Sequence, residues 1–189
     1  MINYLKGDAT YPQGGGIQII PHICNDQGGW GKGFVTAISK RWLLPEKIYR
    51  AWFKSKSSGK GGIWYNNGID TQPCYVGPSF GACMFVRVEE DITIVNMVCQ
   101  AGYYRQGSNN PAVDYLQLQE CLKEVQEYAD MRRTENYIEV REGKASSKTV
   151  SIHMPKIGTG LAGGKWEVIE DIINRTLSLK GENVFIYEL

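Results

Sequence analysis

The 189-residue chain contains no apolar run approaching the ~20 residues that a bilayer-spanning helix needs. Its opening stretch, MINYLKGDATYP, lacks the apolar segment and small-residue cleavage pattern of a secretory signal, so the expected compartment is the cytoplasm. An excess of one charge is also missing. The formal net charge is +1, which gives no general pull toward nucleic acid or an anionic membrane, and neither is an expected partner. Histidine is scarce, with two residues, His22 and His153. The five cysteines are odd in number, form no CxxC pair and read as reduced thiols. His22 and Cys24 lie two apart on an expected strand, but no second ligand pair accompanies them. No metal and no cofactor are therefore expected.

What the chain does have is glycine, 22 residues of it, within an otherwise ordinary composition of 42% hydrophobic and 22% charged residues. The length suits one domain spanning 1–189. Short strands are expected at 2–6, 17–23, 149–154 and 183–189. The strand at 17–23 carries a continuous apolar run, Ile19 and Ile20 followed by Pro21, as in a central strand buried on both faces. Residues 80–88 and 92–98 read as a hairpin turning at Glu89-Glu90-Asp91. Phe34, Ala37, Ile38 and Trp42 recur at helical spacing, and Pro45 opens a second helix bearing Tyr49, Trp52 and Phe53. Asn110 and Pro111 read as the start of a long helix with Leu118, Cys121, Leu122, Val125 and Ala129 on one stripe. Residues 54–62 and 132–148 are polar and read as surface excursions. Trp166, Ile169, Ile173 and Leu177 mark a last helix. Alternating strands and helices around a hairpin predict an α/β fold with a mixed central sheet and helices on both faces.

Two glycine-rich loops share one grammar. Asn25-Asp-Gln-Gly-Gly-Trp-Gly-Lys-Gly33 and Gly158-Thr-Gly-Leu-Ala-Gly-Gly-Lys165 each follow a buried strand and precede an amphipathic helix. A glycine turn there brings backbone amides close to a phosphate, and the helix terminus adds unpaired donors. Two facing loops would grip a diphosphate from both sides. The second loop also matches GxGxxG, with Glu182 near the spacing of a ribose-binding acid, which raises a nicotinamide-dependent oxidoreductase as a remote alternative. With one strand left to follow, no room remains for such a domain. Neither loop is a P-loop, since Trp166 follows Gly164-Lys165 and Gly33 follows Gly31-Lys32.

Lys6-Gly-Asp-Ala-Thr10, His22-Ile-Cys-Asn25, Gly31-Lys-Gly-Phe34 and Met154-Pro-Lys-Ile-Gly-Thr-Gly-Leu161, in this order, resemble the macrodomain family. The likeness is greatest to the compact subgroup of ADP-ribose 1″-phosphate phosphatases and ADP-ribosyl-glutamate hydrolases, several of them phage-encoded. The resemblance implies a three-layer α/β/α macrodomain that binds ADP-ribose or an ADP-ribosylated substrate. It places Asp8 on the adenine amino group, with Gly7 and Ala9 beside it, and Asn25 on the distal ribose. Backbone at Gly31, Lys32, Gly33 and Phe34, and at Gly158, Thr159, Gly160, Leu161 and Ala162, would cradle the diphosphate. Tyr187 and Leu189 would border the adenosine. Each residue also suits a plainer role: Asp8 a turn, Asn25 an Asx turn, Tyr187 the core and Lys32 solvent.

Departures bear on catalysis. The glutamate-hydrolase branch uses a lysine and an aspartate where this chain has Gln100 and Ala162, so that hydrolytic route is not expected. The phosphatase branch carries a histidine at the position of His22, where it would act as general acid or base, with Asn25 and Asp26 orienting it or a water. His22 also suits a buried contact with a carbonyl. The expected function is thus ADP-ribose binding with removal of the terminal phosphate of ADP-ribose 1″-phosphate. The alternatives are a non-catalytic binding module and an ADP-ribosyl hydrolase.

Overall fold

The computed structural model describes residues 2–57, 78–103 and 111–188, and the side chains among them except those of 55–57. Asn110, Leu189, the fifth cysteine Cys74 and the 58–62 part of the expected polar excursion lie outside the described residues.

Six strands form one sheet in the order β1-β6-β5-β2-β4-β3. They are β1 (Ile2–Lys6), β2 (Ile17–Asn25), β3 (Cys83–Arg87), β4 (Ile92–Gln100), β5 (Val150–Pro155) and β6 (Asn183–Glu188). All neighbours are parallel except β3 and β4, which pair as the hairpin expected from sequence. The sheet is mixed for that reason.

Side chains of a strand alternate between faces, and the central strands supply two cores. Ile19, Val95, Met97 and Ile152 pack under α3 (Tyr115–Arg141) and α4 (Trp166–Thr176). Ile20, Ile94 and Val98 pack on the other face under α1 (Phe34–Arg41) and α2 (Leu44–Ser57), against Ile38, Tyr49 and Trp52. Burying such a side chain stabilises the fold by about 1.5–3 kcal/mol each. β2 has apolar neighbours on both faces, which explains the apolar run Ile19-Ile20-Pro21 within it.

Three boundaries differ from the sequence reading. α2 continues to Ser57, past the residue at which a surface loop was expected. α3 begins at Tyr115, and its N-cap is Asp114, whose carboxylate accepts from the amides of Leu116 and Gln117. The start moves because Ala112 and Val113 are used otherwise: both amides donate to Ala162 O, and Val113 bridges Gln100. At its far end α3 runs to Arg141 through the stretch expected to be an excursion. That part has no apolar stripe. Ion pairs Arg132–Glu135 and Arg133–Asp130 support it, and Asn136 fastens it to Ser146 O and Lys148 N.

Five parallel strands end on the same side of the sheet. The loops after β1, β2, β4 and β5, together with β6, therefore converge on one edge, where open α/β sheets bind ligands.

Candidate functional site

A groove of two chambers runs along that edge. The first, about 450 Å³, is lined by Gly7, Asp8, Ala9, Gly33, Gly158 and Tyr187 among others. The second, about 650 Å³, is lined by Asn25, Gly29, Trp30, Gly31, Arg50 and Tyr103 among others. Lys32, Val35, Gln100 and Leu161 border both. The two glycine loops thus meet between the chambers. A methyl group built on Gly33 would lie 3.5 Å from Leu161 Cδ1.

Most of the loop amides are unspent. Among the described residues, no amide from Trp30 to Val35 and none from Gly158 to Ala162 donates a hydrogen bond. Helix geometry accounts for Phe34 and Val35, which open α1 with no carbonyl one turn behind them. Gly33, the N-cap, holds φ at +84° and offers no capping side chain. Gly158 holds φ at +75°, and a Cβ there would meet Ile169 Cδ1 at 2.8 Å and Ile23 Cδ1 at 3.0 Å. Both turns need glycine for conformation, and the second needs it for space as well.

The first loop is held rigidly. Trp30 Nε1 donates to Ser39 Oγ at 2.8 Å, and Ser39 Oγ donates to Glu46 Oε2 at 2.8 Å. Glu46 Oε1 accepts from Arg50 Nε at 2.9 Å, and Arg50 Nη2 donates to Trp30 O at 2.7 Å. This closed ring ties both ends of Trp30 to α1 and α2. The indole is 7% exposed and packs edge-on to His22; it belongs to the wall. Asn25 is spent locally. Its Oδ1 accepts from Gln27 N and Gly29 N, its Nδ2 donates to Gly29 O, and its own carbonyl accepts from the Tyr49 hydroxyl. A bulge between Cys24 and Asn25 sets Asn25 opposite Gln100. Gln100 Nε2 donates to Gly102 O, and Asp26 Oδ1 accepts from Gly102 N. These contacts lock the rim beside the second chamber.

At the other end, Asp8 Oδ1 accepts from Thr10 N in an Asx turn. Tyr187 is buried. Its hydroxyl accepts from Gln13 N at 2.8 Å and hydrogen-bonds His153 Nδ1 at 2.9 Å, while His153 Nε2 reaches Ser151 Oγ at 2.8 Å. Burial lowers the pKa of His153 to about 4. His153 thus braces Tyr187 from within the sheet.

His22 borders the first chamber but is 1% exposed. Its Nε2 donates to Asn96 Oδ1 at 2.6 Å, and Nδ1 lies 3.7 Å from Cys24 Sγ. Burial lowers its pKa to about 4, outweighing the Asn96 contact and a backbone hydrogen bond with Ile23 that act the other way. The ring is neutral at pH 7. Cys24, Cys83, Cys99 and Cys121 are buried free thiols. Among the described residues no group of three or more His, Cys, Asp or Glu side chains is placed to hold a metal, and no helix is long and apolar enough to cross a membrane.

Sequence reasoning missed Arg50 and Tyr103, both on the second chamber. Arg50 hides in sequence as the partner of Glu46 four residues earlier, a spacing usual for solvated helix pairs. The GxGxxG alternative fails on position. Glu182 precedes β6, is buried and is held by Arg133 Nη2 at 2.9 Å. It therefore sits at the end of the strand away from the groove.

No family model matches the chain. Comparison with solved structures is decisive. A macrodomain protein from Streptomyces coelicolor is 33% identical, with a TM-score of 0.72 over 100% of this chain and 99% of that one. The chain belongs to the macrodomain family. A Bacteroides thetaiotaomicron protein of unknown function is 40% identical, with a TM-score of 0.78 over 100% and 98% of the two chains. Among curated relatives, the ADP-ribose 1″-phosphate phosphatase of Debaryomyces hansenii is 24% identical over 191 residues, covering 100% of both. Mouse chromodomain-helicase-DNA-binding protein 1-like is 26% identical over 188 residues, and this macrodomain spans 17% of its length.

Proposed function

We propose that this macrodomain binds ADP-ribose along the groove, with the diphosphate on the two glycine loops. The observation that carries this reading is the pair of unspent amide runs, 30–35 and 158–162, on the two loops that line the chambers. Eleven amides held by a rigid backbone suit a double negative charge better than any side chain on the wall does. The chambers on either side suit a nucleoside and a second sugar. Asp8, Ala9 and Tyr187 are proposed to take the adenosine, and Asn25 and Gln100 to border the distal ribose. Calorimetric titration with ADP-ribose tests this. Saturable binding that ADP or ribose 5-phosphate alone matches only weakly is the expected result, and absence of binding overturns it. Titration with NADH under the same conditions is expected to give no signal.

A second reading adds catalysis, and the full-length relatives named ADP-ribose 1″-phosphate phosphatase favour it. Here the terminal phosphate is released and ADP-ribose is the product. His22 remains the proposed acid–base group, with Asn25 and Asp26 beside it. Its environment asks much of it: Nε2 is engaged by Asn96, and a pKa of about 4 makes a weak base at neutral pH. Phosphate release from ADP-ribose 1″-phosphate decides the matter. Loss of release in His22→Gln with ADP-ribose binding retained supports the reading. Unchanged turnover in that variant removes His22 from the mechanism, and no release by the unaltered chain leaves a binding module. Gln100 and Ala162 supply neither a nucleophile nor a base for ester hydrolysis.

A further inference from the structure

The second chamber differs from the first in charge. Asp8 stands beside Lys32 and Lys156 in the first chamber. The charged side chains among the described residues lining the second are Lys32 and Arg50, with no carboxylate. Glu46, which neutralises part of the Arg50 charge, lies behind the wall. It also receives the Ser39 hydroxyl, so its carboxylate is fixed in place.

That arrangement aims Arg50. A guanidinium has five N–H donors in a planar fork. Nε is committed to Glu46 and one N–H of Nη2 to the Trp30 carbonyl, which leaves three donors uncommitted among the described residues on a side chain that lines the chamber. The fork is held at both ends by the ring that pins Trp30, so little ordering is needed when an anion arrives. Lys32 stands at the junction of the chambers, with no carboxylate partner among the described residues.

We infer that Arg50, assisted by Lys32, makes the second chamber an anion subsite that selects a phosphomonoester on the distal ribose over the free hydroxyl. The inference rests on the groove being an ADP-ribose site. It adds a selecting residue contributed by α2, outside both glycine loops. The Arg50 side chain is half exposed, so solvent screens it, and the selectivity is expected to be about tenfold and to shrink with salt.

The test uses the full chain and two probes: ADP-ribose, and its 1″-phosphonate analogue, whose carbon–phosphorus bond resists hydrolysis. Dissociation constants are measured for the unaltered chain, Arg50→Gln and Arg50→Lys, at about 0.05 M and about 0.5 M salt. The unaltered chain is expected to prefer the phosphonate about tenfold at low salt and less than threefold or so at high salt. Arg50→Gln also opens the ring around Trp30, so it is expected to weaken both ligands, but the phosphonate by a further factor of about five to ten, which brings the two constants within about twofold; Arg50→Lys is expected to retain part of the preference. Equal affinity of the unaltered chain for both probes overturns the inference and leaves the ADP-ribose reading intact. So does a preference that survives Arg50→Gln or is indifferent to salt. Equal loss of both ligands in Arg50→Gln, with the fold intact by circular dichroism, assigns Arg50 to bracing Trp30 and also overturns it. Failure of the unaltered chain to bind either probe overturns the ADP-ribose reading itself.

Discussion

Acidification from about pH 7.5 to about pH 5 is expected to cost this fold about 2 kcal/mol through His22 alone. The ring is fully buried, its Nε2 is given to Asn96, and its pKa is lowered to about 4. An unfolded histidine titrates near 6.5. Between these values the unfolded chain binds a proton that the folded chain does not, so stability is full above about 6.5 and falls as pH drops toward 4. The complete shift corresponds to about 3 kcal/mol, of which about 2 is spent by pH 5. Other groups titrate in the same window. His153 acts in the same direction, with its pKa also lowered to about 4 by burial. Glu124 acts in the opposite one, since burial pushes its carboxyl up to about 7 and its protonation stabilises the folded state. A difference isolates His22: urea unfolding at both pH values, for the unaltered chain and for His22→Gln, whose amide can still donate to Asn96. The unaltered chain is expected to lose about 2 kcal/mol more than the variant. Equal losses, or a His22 proton resonance titrating near 6.5, refute the reasoning. A midpoint near 4 would also mean that a phosphatase using His22 works with a base far below its operating pH.

Other perturbations have defined outcomes. Gly158→Ala forces a side chain into a φ of +75° and against Ile169 and Ile23; a loss of about 2–4 kcal/mol in chemical denaturation is expected, with ADP-ribose binding weakened. Gly16→Ala places a Cβ 2.4 Å from the Thr149 carbonyl, far from the groove. It is expected to destabilise by at least about 2 kcal/mol and leave the dissociation constant of the surviving folded protein unchanged. Asp114→Ala removes the N-cap of α3 and is expected to lower stability by about 1 kcal/mol in the same assay. Ser39→Ala opens the ring that holds Trp30. A severalfold weaker affinity for ADP-ribose, with stability changed by about 1 kcal/mol, is the expected signature.

The sheet was legible because its strands obey simple patterns. β2 carries an apolar run at its centre, Ile19-Ile20-Pro21, and the hairpin is marked by three acids between two apolar runs. The far half of α3 was not legible, since it buries little beyond Asn136 and its stability comes from charge pairs and tertiary anchors. Its true start was hidden by a competition that local sequence does not reveal: Asn110 and Asp114 are both good caps, and the pairing of Ala112 and Val113 with Ala162 decides between them. The glycine loops were legible as loops. That their amides are unspent, and that Asn25 is engaged with its own loop, required the packed structure. Arg50 was invisible because its usefulness comes from where α2 lies against the first loop.

The approach of Leu161 to Gly33 bears on time rather than affinity. The Leu161 side chain of the second loop reaches toward the first, where a Cβ on Gly33 would lie 3.5 Å from its Cδ1. A ligand with a bulky group at each end of a slender centre is expected to be hindered in sliding lengthwise past that side chain. Its entry and exit are expected to require Leu161 to swing aside. Dissociation is then expected to follow that side-chain motion, and trimming Leu161 to alanine to speed arrival and departure together while leaving their ratio nearly constant.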